Sequence, residues 1–485
     1  MTTAIPTGAH RRPGRPTTPA GLATPPAGRV GTWPPDPAPA AAARPARPWA
    51  GERTLVRVLF WWLLAASVAV WWFGTGSPAP ADLADLLREA GRAAGMVAGY
   101  LLLAQALVVS RVAWLEEWLG PRDLLRWHRW LGPAALLTLL AHVLLLLGAA
   151  ALPARTSLLA EAAVLFRSGP DMREAFAGAG LLVLLALVAV GPVRRAVPPG
   201  FWKLLHRATY VGVYLGYGHQ FTAGRDLAGG FARTYWATLY ALTATALLWG
   251  RVVEPLWLNA RHRLRVVEVV WESSQVFSVH LAGRDLDRLR IQPGQPLRWR
   301  FVDWGQWTRS HPYCLSAAPR ADRLRLTIKI DGEQSAQLGR LRPGTRVLAE
   351  GPYGRATPAR ARVGGPVLFI GFGRGIAPVR ALAEVAPVGS TVIYRARREG
   401  DVLFQQEWAA LAARRRLDVR YVAGRRRDPG PRALLTRAGL RRLVPDVVRR
   451  DVYLSGPPEV VEACVRVLRR LHVPAAQIHR SPAEY

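Results

Sequence analysis

Four histidines are spaced to do chemistry. His128 lies in Arg-Trp-His-Arg-Trp and His142 in Leu-Ala-His-Val-Leu, 14 residues further along one apolar stretch. His206 lies in Leu-Leu-His-Arg-Ala and His219 in Tyr-Gly-His-Gln-Phe, 13 residues further along another. At 1.5 Å per residue each pair is separated by about 20 Å along a helix. Two such helices side by side make two His–His pairs, one near each face of a membrane. A neutral imidazole is a good axial haem ligand, and two per iron close the metal to substrate and suit it to electron transfer. A histidine that only hydrogen-bonds a neighbouring helix is the plainer alternative. Ionisable groups inside membrane segments are costly and point to function by default, and these four are the only histidines in the apolar spans. One angle resists. At about 100° per residue, 14 steps bring His142 back to within about 40° of His128, whereas 13 steps leave His219 about 140° from His206. Gly212, Gly216 and Gly218 lie between the latter two, where they would permit local distortion.

The elements that must carry these residues are apolar runs at roughly 55–73, 93–113, 124–148, 179–193, 203–223 and 234–252. Most reach the ~20 residues that span a hydrocarbon core; the fourth is short. Trp114, Trp118, Trp127 and Trp130 crowd span ends, as interfacial anchors do. Seven Arg precede the first span, and Arg194, Arg195 and Lys203 lie between the fourth and fifth. Positive charge on these loops predicts both termini in the cytoplasm, in the plasma membrane of the cell. His128 and His206 then form an inner pair, and His142 and His219 an outer pair. The first 50 residues, rich in Pro, Ala and Arg, read as a disordered tail. No signal-peptide pattern precedes the first span.

Beyond residue 255 the pattern changes. Alternating or β-branched runs at 263–270, 276–281, 296–302 and 325–330 predict a small antiparallel barrel. Strands at 367–370, 391–394, 417–422 and 451–454 alternate with helical stretches, a βαβ pattern that predicts a parallel sheet. Three motifs there carry chemistry. His311-Pro312-Tyr313-Cys314-Leu-Ser316 sets an aromatic beside small polar groups, suited to a flat ring, though an ordinary strand reads the same way. Lys329-Ile-Asp-Gly332-Glu-Gln-Ser335 places a glycine and a hydroxyl at a helix start, either an anion site or a plain N-cap. Val367-Leu-Phe-Ile-Gly371-Phe-Gly373-Arg-Gly375-Ile-Ala-Pro378 runs a strand through three alternate glycines into a helix, suiting a pyrophosphate at the helix N-terminus.

The formal charge of +32 does not indicate nucleic-acid binding. Only Lys203 and Lys329 are lysines, and the arginines are spread over the soluble half rather than gathered on one recognition module. Two cysteines, Cys314 and Cys464, make no disulfide framework or zinc site.

Over about 50–485 the chain resembles the ferric reductase and NADPH oxidase superfamily, whose members join a six-helix haem domain to a ferredoxin-NADP-reductase-like module. The resemblance implies a six-helix transmembrane bundle, an antiparallel β-barrel FAD domain and an α/β parallel-sheet nucleotide domain, over 51–256, 257–360 and 361–485. It implies two b-type haems held by His128, His142, His206 and His219, with FAD and NAD(P)H. His311-Pro312-Tyr313-Cys314 matches the family's flavin motif, with Tyr313 against the flavin and His311 near its phosphates. Cys314 is a departure, because relatives usually carry a hydroxyl there and a thiol is a weaker donor. Lys329, Gly332 and Ser335 fall on the pyrophosphate-binding turn, and Glu350-Gly-Pro-Tyr-Gly354 matches the close of the flavin domain. Gly371, Gly373, Gly375 and Pro378 match the nicotinamide-nucleotide turn. Ser455-Gly456-Pro457 aligns with a Cys-Gly-Pro motif, so Ser455 is a second departure. Tyr485 stands where relatives often end in an aromatic over the flavin. Arg395 and Arg397, after the second strand of the nucleotide domain, suit a 2′-phosphate, although solvated arginines are as well accounted for in so Arg-rich a chain. The resemblance thus implies a transmembrane oxidoreductase with a small-molecule acceptor on the outer face, ferric chelate or oxygen. The alternative is an electron-transfer subunit serving a redox partner protein or quinone; a non-redox helical scaffold is the remaining reading.

Overall fold

The computed structural model describes residues 51–74, 80–169, 171–222, 227, 230–289, 291–303, 309–354 and 356–482. The predicted tail at 1–50 and Tyr485 lie outside them. The membrane half begins with α1 (Glu52–Gly74), α2 (Leu83–Leu107), the short α3 (Ala113–Leu119) and the 34-residue α4 (Pro121–Ala154). Pro121 starts α4, where its missing N–H costs nothing. Next come α5 (Leu158–Ser168), α6 (Met172–Ala189) and α7 (Gly191–Ala196). Among the described residues, four helices are long and apolar enough to cross a membrane: Glu52–Phe73, Leu83–Leu107, Arg122–Ala154 and Met172–Ala189. The fourth expected span therefore starts earlier than its apolar run, at Met172.

The fifth expected span is not one helix. It is divided into α8 (Pro199–Arg207), α9 (Thr209–Leu215) and α10 (Tyr217–Thr222), with breaks at Ala208 and Gly216. The sixth falls on α11 (Gly230–Leu248), which is extended by a π-turn at Trp249–Val253 into α12 (Glu254–His262). The domain boundary expected at residue 256 thus lies inside α12. A membrane-half core of Met96, Tyr100, Leu103, Leu131, Ala135 and Trp236 joins α2, α4 and α11.

The soluble half has two parts. In the first, β1 (Arg265–Ser273), β2 (Val276–Ala282) and β5 (Arg323–Lys329) form one antiparallel sheet. A second antiparallel sheet has β3 (Pro296–Phe301) between β4 (His311–Cys314) and β6 (Val347–Glu350). Single bridges, Leu315 to Leu326 and Arg265 to Arg346, link the two sheets at both seams. Alternate residues such as Leu297, Trp299 and Phe301 turn inward to a shared core with Phe277, Val279 and Leu326, as strand periodicity requires. The helix α13 (Glu333–Leu338) follows β5.

The second part is a five-stranded parallel sheet in the order β11-β10-β7-β8-β9. Its strands are β7 (Leu368–Phe372), β8 (Thr391–Arg395), β9 (Asp418–Val422), β10 (Val452–Gly456) and β11 (Ile478–Pro482). The connecting helices are α14 (Ile376–Glu384), α15 (Gln405–Arg415), α16 (Pro429–Ala433), α17 (Arg437–Leu443) and α18 (Pro458–Arg470). Separate cores cover the two faces, one including Leu368, Ile370 and Leu454, the other Phe369, Val392 and Trp408. Burial on both faces explains why these strands read as continuous apolar runs.

Buried charges fasten the two soluble parts together. Arg325 of β5 donates to both carboxylate oxygens of Glu407 on α15, at 2.8 and 3.1 Å. Arg380 on α14 joins Glu407 and Glu384, and both guanidiniums donate to the Ser316 carbonyl. Burial alone would raise the Glu407 carboxyl, but the guanidiniums of Arg325 and Arg380 hold it below its ordinary range.

Candidate functional site

α4 carries His128 and His142 on one rod, and α8 and α10 present His206 and His219. The rings of His128 and His206 lie 5.8 Å apart, centre to centre, with planes at 88°. Those of His142 and His219 lie 6.3 Å apart at 40°. The breaks at Ala208 and Gly216 remove the angular conflict: His206 and His219 do not share a continuous helix, so ideal-helix counting does not apply between them. His206 stacks on Trp202, with ring centres 5.2 Å apart.

Glycines on α2 make room for the outer pair. His142 donates from Nδ1 to the Gly91 carbonyl at 2.8 Å, which leaves its other ring nitrogen free as an acceptor or ligand. A Cβ on Gly95 would lie 2.6 Å from His142 Nδ1, so only glycine fits there. Near the inner pair, Gln105 Nε2 lies 3.5 Å from His128 Nε2.

A second constellation lines the junction of the two soluble parts. His311 and Tyr313 alternate on β4 and so share a face; their rings are parallel within 1° and 6.0 Å apart. Burial, with Arg309 nearby, holds His311 below the ordinary histidine range, while burial pushes the Tyr313 hydroxyl up to about 12. Cys314 is pushed up to about 12 by burial, so it stands as a neutral thiol. Its sulfur is 3.6 Å from the Ser481 hydroxyl, which donates to the Gly294 carbonyl at 3.1 Å.

Ser335 departs from a plain N-cap. It occupies the third position of α13, with Gly332 as the cap. Its hydroxyl accepts the N–H groups of Asp331 and Gly332, at 2.8 and 3.2 Å, and donates to the Gly332 carbonyl. Those two backbone N–H groups thus already have a partner.

The glycine-rich turn follows β7 as a 3₁₀ turn, Gly373–Gly375, and runs into α14, where Pro378 is buried. Gly373 has φ +56° and nothing within 4 Å of where a Cβ would stand, which leaves its backbone open to a ligand. Gly375 is needed for packing: a Cβ there would lie 2.2 Å from the Ser455 carbonyl oxygen. The turn therefore backs directly onto Ser455-Gly456 at the end of β10. β7 lies between β10 and β8, a topological switch point where open parallel sheets bind ligands. A cavity of about 350 Å³ opens there, walled by Gly373, Arg374, Arg395, Arg426, Lys329 and Pro457 among others. Asp331 and Arg374 form an ion pair across it.

Residues 94–217 match the family described as ferric reductase like transmembrane component. His128, His142 and His206 fall within the match and His219 two residues beyond it. The reductase component of the naphthalene 1,2-dioxygenase/salicylate 5-hydroxylase systems, ferredoxin--NAD(P)(+), from Ralstonia sp is 28% identical over 232 residues, covering 45% of this chain and 69% of that protein. The chain fuses a ferric-reductase-like membrane component to a ferredoxin-NADP-reductase-like module. The propane 2-monooxygenase reductase component of Rhodococcus jostii (strain RHA1) is 30% identical over 230 residues, covering 42% of this chain and 61% of that protein. Among solved structures, the ferredoxin reductase in carbazole 1,9a-dioxygenase matches with a TM-score of 0.38 at 22% identity, over 46% of this chain and 68% of that one. The matches thus span between 61% and 69% of these two curated relatives.

The residues present suit the groups that this fusion implies. Two metal–imidazole bonds of about 2 Å each would put opposed ring centres roughly 6 Å apart, close to both observed separations. Buried polar atoms without a protein partner remain at His128 Nδ1 and His219 Nδ1 in the membrane half, and at His311 Nε2 and the Ser455 hydroxyl in the soluble half. Among the described residues no group of three or more His, Cys, Asp or Glu is placed to hold a bare metal ion. Arg397 is exposed and does not wall the cavity, whereas Arg395 does, donating also to the Gly424 carbonyl at 2.8 Å. Arg374, Arg426 and Ser481 were missed from sequence. The run Arg425–Arg427 after β9 was the available signal for Arg426, hidden among many arginines.

Proposed function

We propose that this chain is a transmembrane oxidoreductase that moves electrons from NAD(P)H on the cytoplasmic side, through FAD and two bis-His b-type haems, to an acceptor on the outer face. The observation that carries the reading is the opposition of His128 to His206 and of His142 to His219, at 5.8 and 6.3 Å between ring centres, on membrane-half helices. FAD, when bound, would take the two electrons of one hydride and release them singly, and two bis-His haems would relay single electrons across a bilayer. The chain's own residues position and tune those groups. Gly91 orients the His142 imidazole through its carbonyl. Tyr313 offers an aromatic face, and His311 a buried ring nitrogen, to a flavin on β4. The neutral Cys314 thiol stands where the resembled family usually carries a hydroxyl. Gly373 exposes backbone to a pyrophosphate, and the cations Lys329, Arg374, Arg395 and Arg426 favour an anionic dinucleotide. The positive loops support cytoplasmic termini in the plasma membrane.

A second reading is supported by the relatives, whose names describe them as the reductase components of dioxygenase and hydroxylase systems and of a propane 2-monooxygenase. On that reading the chain delivers electrons to a partner protein or quinone. Purified protein separates the two. The first reading expects NAD(P)H-driven reduction of oxygen or ferric chelate by the chain alone; activity only when a membrane partner is restored supports the second. A His128→Ala variant that retains both haems overturns the inner-pair assignment.

A further inference from the structure

Arg360 stands in the 3₁₀ turn Pro358–Arg360, where the first soluble part passes into the second. Its guanidinium is buried, 7% exposed, and its partners come from the membrane half. Nη1 donates to Glu52 Oε2 at 3.2 Å, and Glu52, in the first turn of α1, is itself 8% exposed. Nη2 donates to the Glu117 carbonyl at 3.1 Å and to Glu117 Oε1 at 3.3 Å, on α3. One cation thus ties together the linker between the soluble parts, the start of α1 and the end of α3.

These contacts lie close to the inner histidine pair. α3 ends at Leu119 and α4 begins at Pro121, so His128 is about 10 Å up the helix from that corner. Arg53, next to Glu52, pairs with Asp123 in the first turn of α4 at 3.5 Å. On the soluble side the attachment continues into the sheet that carries the proposed flavin motif. Arg111 pairs with Glu350 at 2.5 Å, and Asn259 exchanges two hydrogen bonds with the Ala349 backbone at 2.8 and 2.9 Å. Both contacts grip β6, which pairs with β3, which pairs with the β4 strand of His311 and Tyr313.

We infer that Arg360 is a positioning residue, a buried clamp that seats the reductase module on the membrane domain and holds β4 in fixed relation to the His128–His206 pair. The step it would serve is the transfer of one electron from a reduced flavin that β4 would hold to a ferric haem that His128 and His206 would hold. The inference rests on the electron path proposed above, but the clamp is measurable without it. Removing the guanidinium leaves Glu52 buried without its cation, while the remaining grips on β6 keep the module attached in a looser seat.

The test uses the full chain in detergent or lipid discs, as wild type, Arg360→Gln, Arg360→Lys and Glu117→Gln. Hydrogen exchange is read at residues 113–119 and 356–363, and flavin and haem reduction by NAD(P)H are followed together without oxygen. Arg360→Gln is expected to exchange at least ~10-fold faster at both segments. Its flavin should be reduced within about twofold of the wild-type rate and its haem at least ~10-fold more slowly, since only the second step depends on how β4 is oriented and spaced against the His128–His206 pair. Arg360→Lys, which keeps the charge but not the forked geometry, should recover part of the haem rate. Glu117→Gln, losing one contact at the rim, should show a smaller effect of the same kind even if Arg360→Gln does not fold. Unchanged exchange at both segments overturns the clamp, as does equal slowing of flavin and haem. Wild-type haem that NAD(P)H never reduces defeats the electron path instead, and the exchange data still decide the clamp.

Discussion

Substituting Gly95 by alanine should empty the outer haem site and spare the inner one. The added Cβ would stand 2.6 Å from His142 Nδ1 and 2.8 Å from its Cε1. Carbon contacts settle near 3.5 Å, so the imidazole must retreat by about 0.7–0.9 Å. α2 and α4 pack closely around it: a Cβ on the neighbouring Gly91 would also meet Leu146 at 2.9 Å. A shift of that size stretches the 2.8 Å bond from His142 Nδ1 to the Gly91 carbonyl beyond useful length. Overpacking costs about 1–3 kcal/mol and the lost hydrogen bond about 0.5–1.5 kcal/mol. Together they amount to roughly 1.5–4.5 kcal/mol, or about a 10- to 1,600-fold weaker hold on the outer group at 1.4 kcal/mol per tenfold. The assay is the haem-to-protein ratio of purified protein from its optical spectrum, expected to fall from two toward one. Gly148→Ala is the control, since its Cβ would make only ordinary contact with Leu87 at 3.5 Å. A Gly95→Ala protein that retains two haems with unchanged spectra would refute the assignment of His142 as a ligand held by α2.

Other outcomes follow from the soluble half. Burial, then Arg325 and Arg323, lower His280 from 6.5 to about 4. The folded state therefore resists a proton that the unfolded chain accepts, and stability should be intact above pH 6.5 and fall as pH drops toward 4, by up to about 3 kcal/mol. Denaturant midpoints across that range check this, with His280→Gln expected to flatten the slope. Burial pushes both Cys314 and Cys464 up to about 12, so neither should be alkylated at neutral pH in native protein and both should be after denaturation. Arg395→Ala and Arg426→Ala should each raise the KM for NADPH about tenfold, the cost of one charge-assisted contact, with a smaller change for NADH. Arg397→Ala, whose side chain lies outside the cavity, should leave both constants within about twofold.

Much of this architecture was legible because membrane helices and parallel strands are written in local pattern. The histidine partners, the strand-turn-helix at Gly371–Pro378 and most strand positions came from apolar periodicity. Where local pattern stops, legibility stopped. The 203–223 run is apolar enough to suggest one span, yet Ala208 and Gly216 divide it, and that division is what relieves the 13-residue step. Ser335 resembled an N-cap because hydroxyl-before-helix is shared by several turn geometries; its place at the third position depends on where Gly332 turns. Arg360 and Glu52 lie 308 residues apart, and in a chain with 65 basic residues against 33 acidic ones no single arginine announces its partner. Ser481 meets Cys314 only because β11, last of the strands, returns to the edge of the first soluble part.

The central claim is that NAD(P)H electrons reach two histidine-held haems through this chain alone. Adding NAD(P)H to purified, oxygen-free protein while recording the optical spectrum tests it directly. The account predicts low-spin b-type bands that reduce fully and account for two haems and one FAD per chain. Bands that respond to a chemical reductant but not to NAD(P)H, or no haem bands at all, would contradict it.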